Sequence, residues 1–354
     1  MSSSTASNTT NGRHLFKEYP TGFPTPGQST VYDTSASIDL DHVPLNGGVL
    51  TKLKVLSIDP YLRELMNPNL GTSPDFVPFA LNEPIQGHGI VEVLRSENDK
   101  FKSGDFLHAD VIPHEEYPLF SKEATETLSI VEKRPELPLS VYVGAARMPG
   151  WTAFAGWKEY AKAKTGETVF VSSGAGAVGS IVVQLAKHQG LKVISSAGSE
   201  DKVQFLKDLG VDVAFNYKTS DTREVLKKEG PVDIYWDHVG GDTLDAALEN
   251  MNQYGRIVLC GMITGYNTES GDVPTQKLYT AVWRQLSLHG LLIVPALIEK
   301  YQSSFEEEVV AKLADGTFKY REDKRYGLEE ASQAMLDVQK GSNVGKCVVV
   351  VDGE

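Results

Sequence analysis

From Thr168 onward, short runs of β-branched and aromatic residues alternate with stretches whose apolar positions recur every three to four residues. The runs at 168–172, 192–196, 212–216, 232–237, 256–261 and 288–294 predict strands. Between them, the pattern predicts amphipathic helices from Ala177 through Ala186, over 200–209 with Val203, Phe205 and Leu206 inward, and over 243–251 with Leu244, Ala247 and Leu248 inward. Strands joined by helices at short, regular spacing predict a doubly wound parallel sheet of six strands. Residues 13 to about 140 follow another pattern. Strand-like runs at 49–57 and 89–94 are broken by Pro/Gly turns such as 24–27 and Asn67-Pro-Asn69, with no strand–helix alternation, which predicts an irregular β-rich domain. After residue 294 come two further predicted helices, 296–314 and 328–339, and a final strand at 346–352 that reads as a return to the first domain. The expected organisation is a disordered tail at 1–12, a β-rich domain at 13–140 and 310–354, and the parallel-sheet domain inserted at 141–309.

Composition narrows the partners. A formal net charge of -13 argues against nucleic acid or an anionic membrane as the main partner, so an anionic ligand must meet a local basic cluster. The first twelve residues are mostly Ser, Thr, Asn and small residues, without the basic start or apolar core of a signal peptide. The apolar stretch around Leu291 to Ile298 is too short to span a bilayer. The two cysteines, Cys260 and Cys347, sit in strand-like apolar runs and read as small buried residues in a reducing compartment. A cytoplasmic location is expected.

The chemistry concentrates at Ser172-Ser-Gly-Ala-Gly-Ala-Val-Gly179, where Gly174, Gly176 and Gly179 make a G-x-G-x-x-G spacing between the first strand and its helix. That is where a Rossmann fold needs glycine: for a tight turn, for approach of a pyrophosphate and for helix–strand packing. Amides at the helix start and its positive dipole end would face the phosphates. An NAD-binding fold places an acid at the tip of the second strand, about twenty residues on. Here the tip is Ser195-Ser-Ala-Gly-Ser199. Glu200 and Asp201 read as helix-start acids behind Ser199 as N-cap. Lys202 one turn in, with Tyr217 and Lys218 closing the third strand, leaves room and charge for a 2′-phosphate, which favours NADP. No metal site is credible on sequence: His88 is followed by Gly, no Cys precedes residue 260, and His108 and His114 look isolated. Hydride transfer is then expected to rely on hydrogen bonds in place of a Lewis acid.

Further stretches carry a resemblance. Leu56-Ser-Ile-Asp-Pro-Tyr-Leu-Arg63, Arg147-Met-Pro-Gly-Trp-Thr-Ala153, the glycine turn, Ala197-Gly-Ser-Glu-Asp-Lys202, Phe215-Asn-Tyr-Lys218, Asp237-His-Val-Gly-Gly241, Leu259-Cys-Gly-Met-Ile-Thr-Gly-Tyr-Asn267 and Gly341-Ser-Asn-Val-Gly-Lys346 resemble the zinc-independent branch of the medium-chain dehydrogenase/reductases. The resemblance is to the prostaglandin reductases and plant alkenal double-bond reductases, and it runs from about residue 45 to the C-terminus. It implies a Rossmann domain set in a GroES-like domain, and NADPH-dependent reduction of the carbon–carbon double bond of α,β-unsaturated aldehydes or ketones.

Carried over by position, Gly174, Gly176, Ala177, Val178 and Gly179 would meet the pyrophosphate, and Ser199, Lys202 and Tyr217 the 2′-phosphate end. Cys260, Gly261, Met262, Tyr266 and Asn343 would surround the nicotinamide, with Leu291, Leu292 and Ile293 along its other side. His238 stands where the family usually has Asn, which adds a titratable group near the ribose. Tyr266 is the implied donor to the developing enolate, Tyr61 lines the substrate side, and Arg63 anchors its loop through Asp59. Relatives are often dimers joined edge to edge, so a homodimer through the sixth strand is expected. A quinone reductase or ketone-reducing dehydrogenase on the same scaffold, and a non-catalytic NADP-binding protein, remain the competing readings. Pocket size depends on the loops 67–79 and 268–273.

Overall fold

A computed structural model describes residues 8–69, 77–269 and 271–353. The two loops expected to set pocket size fall partly outside them, at 70–76 and 270, as does the expected disordered tail through residue 7. The chain forms two compact units, one of Gly144–Glu322 with Val344–Lys346, the other of the remaining segments.

The first unit is the expected parallel sheet. Its strands are β1 (Thr168–Val171), β2 (Lys192–Ala197), β3 (Val213–Asn216), β4 (Val232–Asp237), β5 (Met251–Leu259) and β6 (Ser287–Gly290), in the spatial order 3-2-1-4-5-6. Helices α1 (Ala177–His188), α2 (Glu200–Asp208), α3 (Thr222–Glu229) and α4 (Gly241–Asn250) connect them. β1 is flanked by β2 and β4, so Val169, Phe170 and Val171 are buried on both faces, as a central parallel strand requires. On the α4 side Phe170 stacks on Tyr235 at 5.0 Å and on Phe215 at 6.3 Å, while Leu244, Ala247 and Leu248 close the core. Asp221 caps α3 by accepting from the backbone of Arg223 at 2.8 Å. Gly190 and Gly210 end α1 and α2 at φ of +80° and +83°.

Two strands depart from expectation. β5 begins earlier, because Met251 pairs with Val232 before a register shift. β6 ends earlier, since Leu291 is the last residue to donate to β5, and the chain turns into the helix Pro295–Phe305. The helical stretch through Ala314 and the segment to Glu322 cluster with this unit, past the expected division at 310, because Phe305, Val309, Val310, Leu313 and Phe318 are buried there.

The second unit is built on a mostly antiparallel seven-stranded sheet in which Val49–Ser57 lies between Gln86–Ser96 and the C-terminal strand Lys346–Val350. The helix Ala331–Lys340 covers its core through Ala334, Met335 and Val338. Near the N-terminus, Thr9–Thr10 pairs with Ser37–Ile38, and Arg13–Phe16 pairs with Thr30–Asp33. Together the units are the Rossmann and GroES-like architecture expected. No helix among the described residues is long and apolar enough to cross a membrane.

A buried polar knot fixes the N-terminal strands. His14 and His114 are fully enclosed with their Nδ1 atoms 3.3 Å apart, and His14 Nε2 lies 2.9 Å from Ser332 Oγ, which accepts from Thr30 Oγ1 at 2.9 Å. Burial lowers His14 from 6.5 to about 3, and burial with the neighbouring His14 holds His114 well below its ordinary value. Between those values the unfolded chain binds more protons than the folded one, so the contribution is whole above about pH 6.5 and is lost as pH falls toward about 3. Denaturant midpoints are expected to fall between about pH 7.5 and about pH 5.5, with a smaller fall in His114→Gln. An equal fall in both proteins would exclude the histidine pair as its source.

Candidate active site

The site is organised by the turn between β1 and α1, at the point where strand order reverses from β2 to β4. Its glycines answer to separate constraints. A Cβ on Gly174 would lie 1.9 Å from Ser195 Oγ on β2, and one on Gly179 would lie 2.7 Å from both Gly174 Cα and Ser173 O. Those two glycines allow strand, turn and helix to close-pack. A Cβ on Gly176 would meet only Ser173, at 3.3 Å from its carbonyl, and otherwise open space. Gly176 therefore keeps clear the ground in front of the helix. Ala177, Val178 and Gly179 are the first residues of α1, where backbone N–H groups lack intrahelical acceptors. The arrangement suits a pyrophosphate.

At the tip of β2, Ser199 caps α2 as expected, accepting from Lys202 N at 3.4 Å. The two helix-start acids are engaged elsewhere: Glu200 accepts from Asn216 Nδ2 at 2.8 Å, and Asp201 pairs with Arg321 at 3.1 Å. Tyr217 lies over Gly198, whose Cβ would come 3.1 Å from the phenol oxygen, and is half exposed; Lys202 is half-buried. Ser199, Lys202 and Tyr217 thus gather around one small-residue strand end.

At the tips of β4 and β5 a buried network sets the backbone. Asp237 Oδ1 accepts from Tyr235 Oη at 2.6 Å and from the amides of Val239 and Gly240 at 2.8 and 2.9 Å. Burial raises its carboxyl above the ordinary range. The Asp237 carbonyl in turn accepts from Cys260 N and Gly261 N, tying the two strand ends together. His238 donates from Nδ1 to Ser172 O at 2.6 Å, because its Nε2 accepts from Trp236 Nε1 at 3.1 Å. Burial lowers it to about 4, so it is neutral near pH 7. The titratable group expected near the ribose is therefore a fixed imidazole. The sequence reading missed Asp237 and Ser172 as organisers; an acid at the end of an apolar strand was the available signal.

Cys260, Gly261 and Met262 form the turn after β5, and Tyr266 closes the short helix Ile263–Tyr266 with its hydroxyl over Gly261, where a Cβ would lie 3.0 Å away. Burial pushes the Cys260 thiol up to about 12. Leu291 is buried against Gly156, Leu292 is exposed and Ile293 half-buried. In the other unit, Asn343 is half-buried in the loop between Ala331–Lys340 and Lys346–Val350. There too, Tyr61 sits in the short helix Pro60–Met66 with its ring edge-on to His88, and burial raises its hydroxyl well above the ordinary value. Arg63 anchors a different segment from the one expected: it donates to the carbonyls of Pro20 and Gly22, both at 3.0 Å.

Known proteins agree with this geometry. The family described as zinc-binding dehydrogenase matches residues 177–314, and that described as N-terminal domain of oxidoreductase matches 13–126. A 2-alkenal reductase (NADP(+)-dependent) of Nicotiana tabacum is 39% identical over 355 residues, covering 99% of this chain and 100% of the relative. The chain belongs to the zinc-independent medium-chain dehydrogenase/reductases, in the group of alkenal double-bond and prostaglandin reductases. Another relative of this family, the (+)-pulegone reductase of Mentha piperita, is 38% identical over 313 residues, covering 87% of this chain and 89% of its own. The crystal structure of CurA in complex with NADPH from Vibrio vulnificus superposes with a TM-score of 0.86 at 30% identity, over 97% of this chain and 100% of that one.

The unequal glycines give a direct test. Gly174→Ala is expected to destabilise the protein by about 1–3 kcal/mol through overpacking, read as a lower thermal midpoint. Gly176→Ala is expected to keep its midpoint and to bind dinucleotide more weakly. Equal destabilisation by both would contradict the division of roles.

Proposed function

We propose that the protein is an NADPH-dependent reductase of the carbon–carbon double bond of α,β-unsaturated ketones or aldehydes. The observation that carries the reading is the open Gly176 face at the switch point beside a β2 tip whose only acids are already engaged, in a chain related over its whole length to an NADP-dependent 2-alkenal reductase. NADPH, when bound, supplies the hydride for the β-carbon.

The chain's own residues do the rest. The Gly174–Gly179 turn and the first amides of α1 receive the pyrophosphate, and Ser199, Lys202 and Tyr217 receive the 2′-phosphate. The 260–266 turn and the strand end at Leu291, Leu292 and Ile293 form the nicotinamide surroundings. His238 contributes a neutral, oriented ring near the ribose. As hydride reaches the β-carbon, negative charge grows on the carbonyl oxygen; Tyr266 donates a hydrogen bond to that oxygen, in place of a Lewis acid. The α-carbon then takes a proton. Tyr61 is assigned to the substrate side. The exposed Tyr279, Val282 and Trp283 near the edge strand β6 support a homodimer through that edge. A cysteine content of only two, both in apolar strand-like runs, supports a reducing, cytoplasmic setting.

Product analysis with a panel of enones and NADPH separates the readings. A saturated ketone or aldehyde is expected; an allylic alcohol would favour a carbonyl-reducing dehydrogenase, and binding without turnover a non-catalytic protein. Tyr266→Phe should slow reduction by about 10²–10³-fold with NADPH affinity nearly unchanged. An unchanged rate removes Tyr266 from the donor role. Lys202→Ala should weaken NADPH by roughly 10–100-fold, as for a lost bond to a charged group, and NADH far less. Equal losses for both cofactors would refute the phosphate assignment.

A further inference from the structure

His88, His108 and Asp110 were separate features in the sequence, and strand register unites them. In the antiparallel pair Gln86–Ser96 and Phe106–Pro113, Ile90 faces His108 and Gly89 faces Ala109, but Gly87 faces Ile112. Asp110 and Val111 therefore stand together opposite His88, a bulge of the kind that re-aims side chains. Alternation along the strands turns His88, His108 and Asp110 to one face. One donor atom from each lies within 4.8 Å of the others. His88 Nδ1 is 3.1 Å and His108 Nδ1 3.8 Å from the same oxygen, Asp110 Oδ1, and the two imidazoles stack at 5.8 Å.

Three properties point the same way. The donors are two imidazole nitrogens and a carboxylate oxygen, the set that suits zinc and its first-row neighbours. In a tetrahedral zinc site with bonds of about 2.0–2.2 Å, neighbouring ligand atoms are roughly 3.3–3.6 Å apart, and the observed 3.1 and 3.8 Å bracket that spacing. His88 Nδ1 is buried and makes no hydrogen bond, although the carboxylate oxygen is near. A nitrogen and an oxygen at that distance without a hydrogen bond are disposed to share a cation instead. The floor of the cluster is enclosed, with the His108 side chain 3% exposed, while Asp110 at 68% opens to solvent. An ion can enter, and water can complete its coordination.

We propose that His88, His108 and Asp110 form a binding site for one divalent transition-metal ion, Zn²⁺ or a close neighbour. It is not the cysteine-based site of zinc dehydrogenases, for which the chain lacks the thiolates. No step of the proposed reduction runs through it, so the inference stands or falls apart from that reading. The ring of Tyr61 lies edge-on to His88 at 6.2 Å.

The test uses the full chain without a polyhistidine tag, stripped with a chelator and titrated with Zn²⁺ by calorimetry and with Co²⁺ by visible absorption. One equivalent of either metal is expected, with the intense cobalt bands of a low-coordinate site and a higher thermal midpoint. Asp110→Asn, at an exposed position that leaves folding intact, should weaken binding by about 10-fold or more. His88→Phe should remove it. Absence of stoichiometric binding, or undiminished binding by Asp110→Asn, would overturn the proposal.

Discussion

The parallel sheet depends on a steric constraint at the turn after β1. Gly174 lies so close to Ser195 on β2 that no side chain fits between them, and Gly179 presses on Gly174 from the first turn of α1. Strand, turn and helix are thereby locked into one piece. Because β1 is the central strand, that piece fixes the carboxyl ends of β1 and β4, where strand order reverses. Ser172, just before the turn, continues the constraint sideways: its carbonyl holds the His238 ring, and its hydroxyl accepts from His238 N at 3.0 Å. The ends of β1, β4 and β5 are thus set by short-range contacts that begin at two missing side chains.

Much of this was legible in the chain, because local pattern and local chemistry agree. The alternation of apolar runs with helical periodicity marked the six strands, and the glycine spacing marked the turn before any fold was assumed. Ser199 read correctly as a cap because capping is a local matter. What the sequence left open depended on distant partners. Glu200 and Asp201 read as helix-start acids, but their partners Asn216 and Arg321 were not visible in the sequence. Arg63 was assigned to its near neighbour Asp59, whereas its guanidinium reaches the carbonyls of Pro20 and Gly22, 43 and 41 positions earlier. His108 looked isolated because His88 lies on an adjacent strand and a bulge at Asp110 brings the three together, and neither register nor bulge leaves a mark in periodicity.

The two units solve the burial of polar groups in different ways. In the nucleotide unit Asp237 gathers three donors on one carboxylate oxygen, so a charged group becomes the fastener of two loop starts. In the β-rich unit burial keeps His14 and His114 neutral; His14 is held by His114 and Ser332, while His114 Nε2 makes no hydrogen bond. The first solution tolerates acid better than the second, since depressed imidazoles exact their cost as soon as the unfolded chain can be protonated.

The Cys260 thiol has a consequence for survival in the enzyme's own chemistry. Enones and enals are soft electrophiles that add to thiolates at the very carbon a reductase attacks with hydride. Cys260 stands just past the end of β5, in the turn proposed to border the nicotinamide. With its pKa pushed up to about 12 it stays a thiol at neutral pH, and the thiol is a poor nucleophile. The same burial that shapes the turn shields the catalyst from alkylation by what it is proposed to consume.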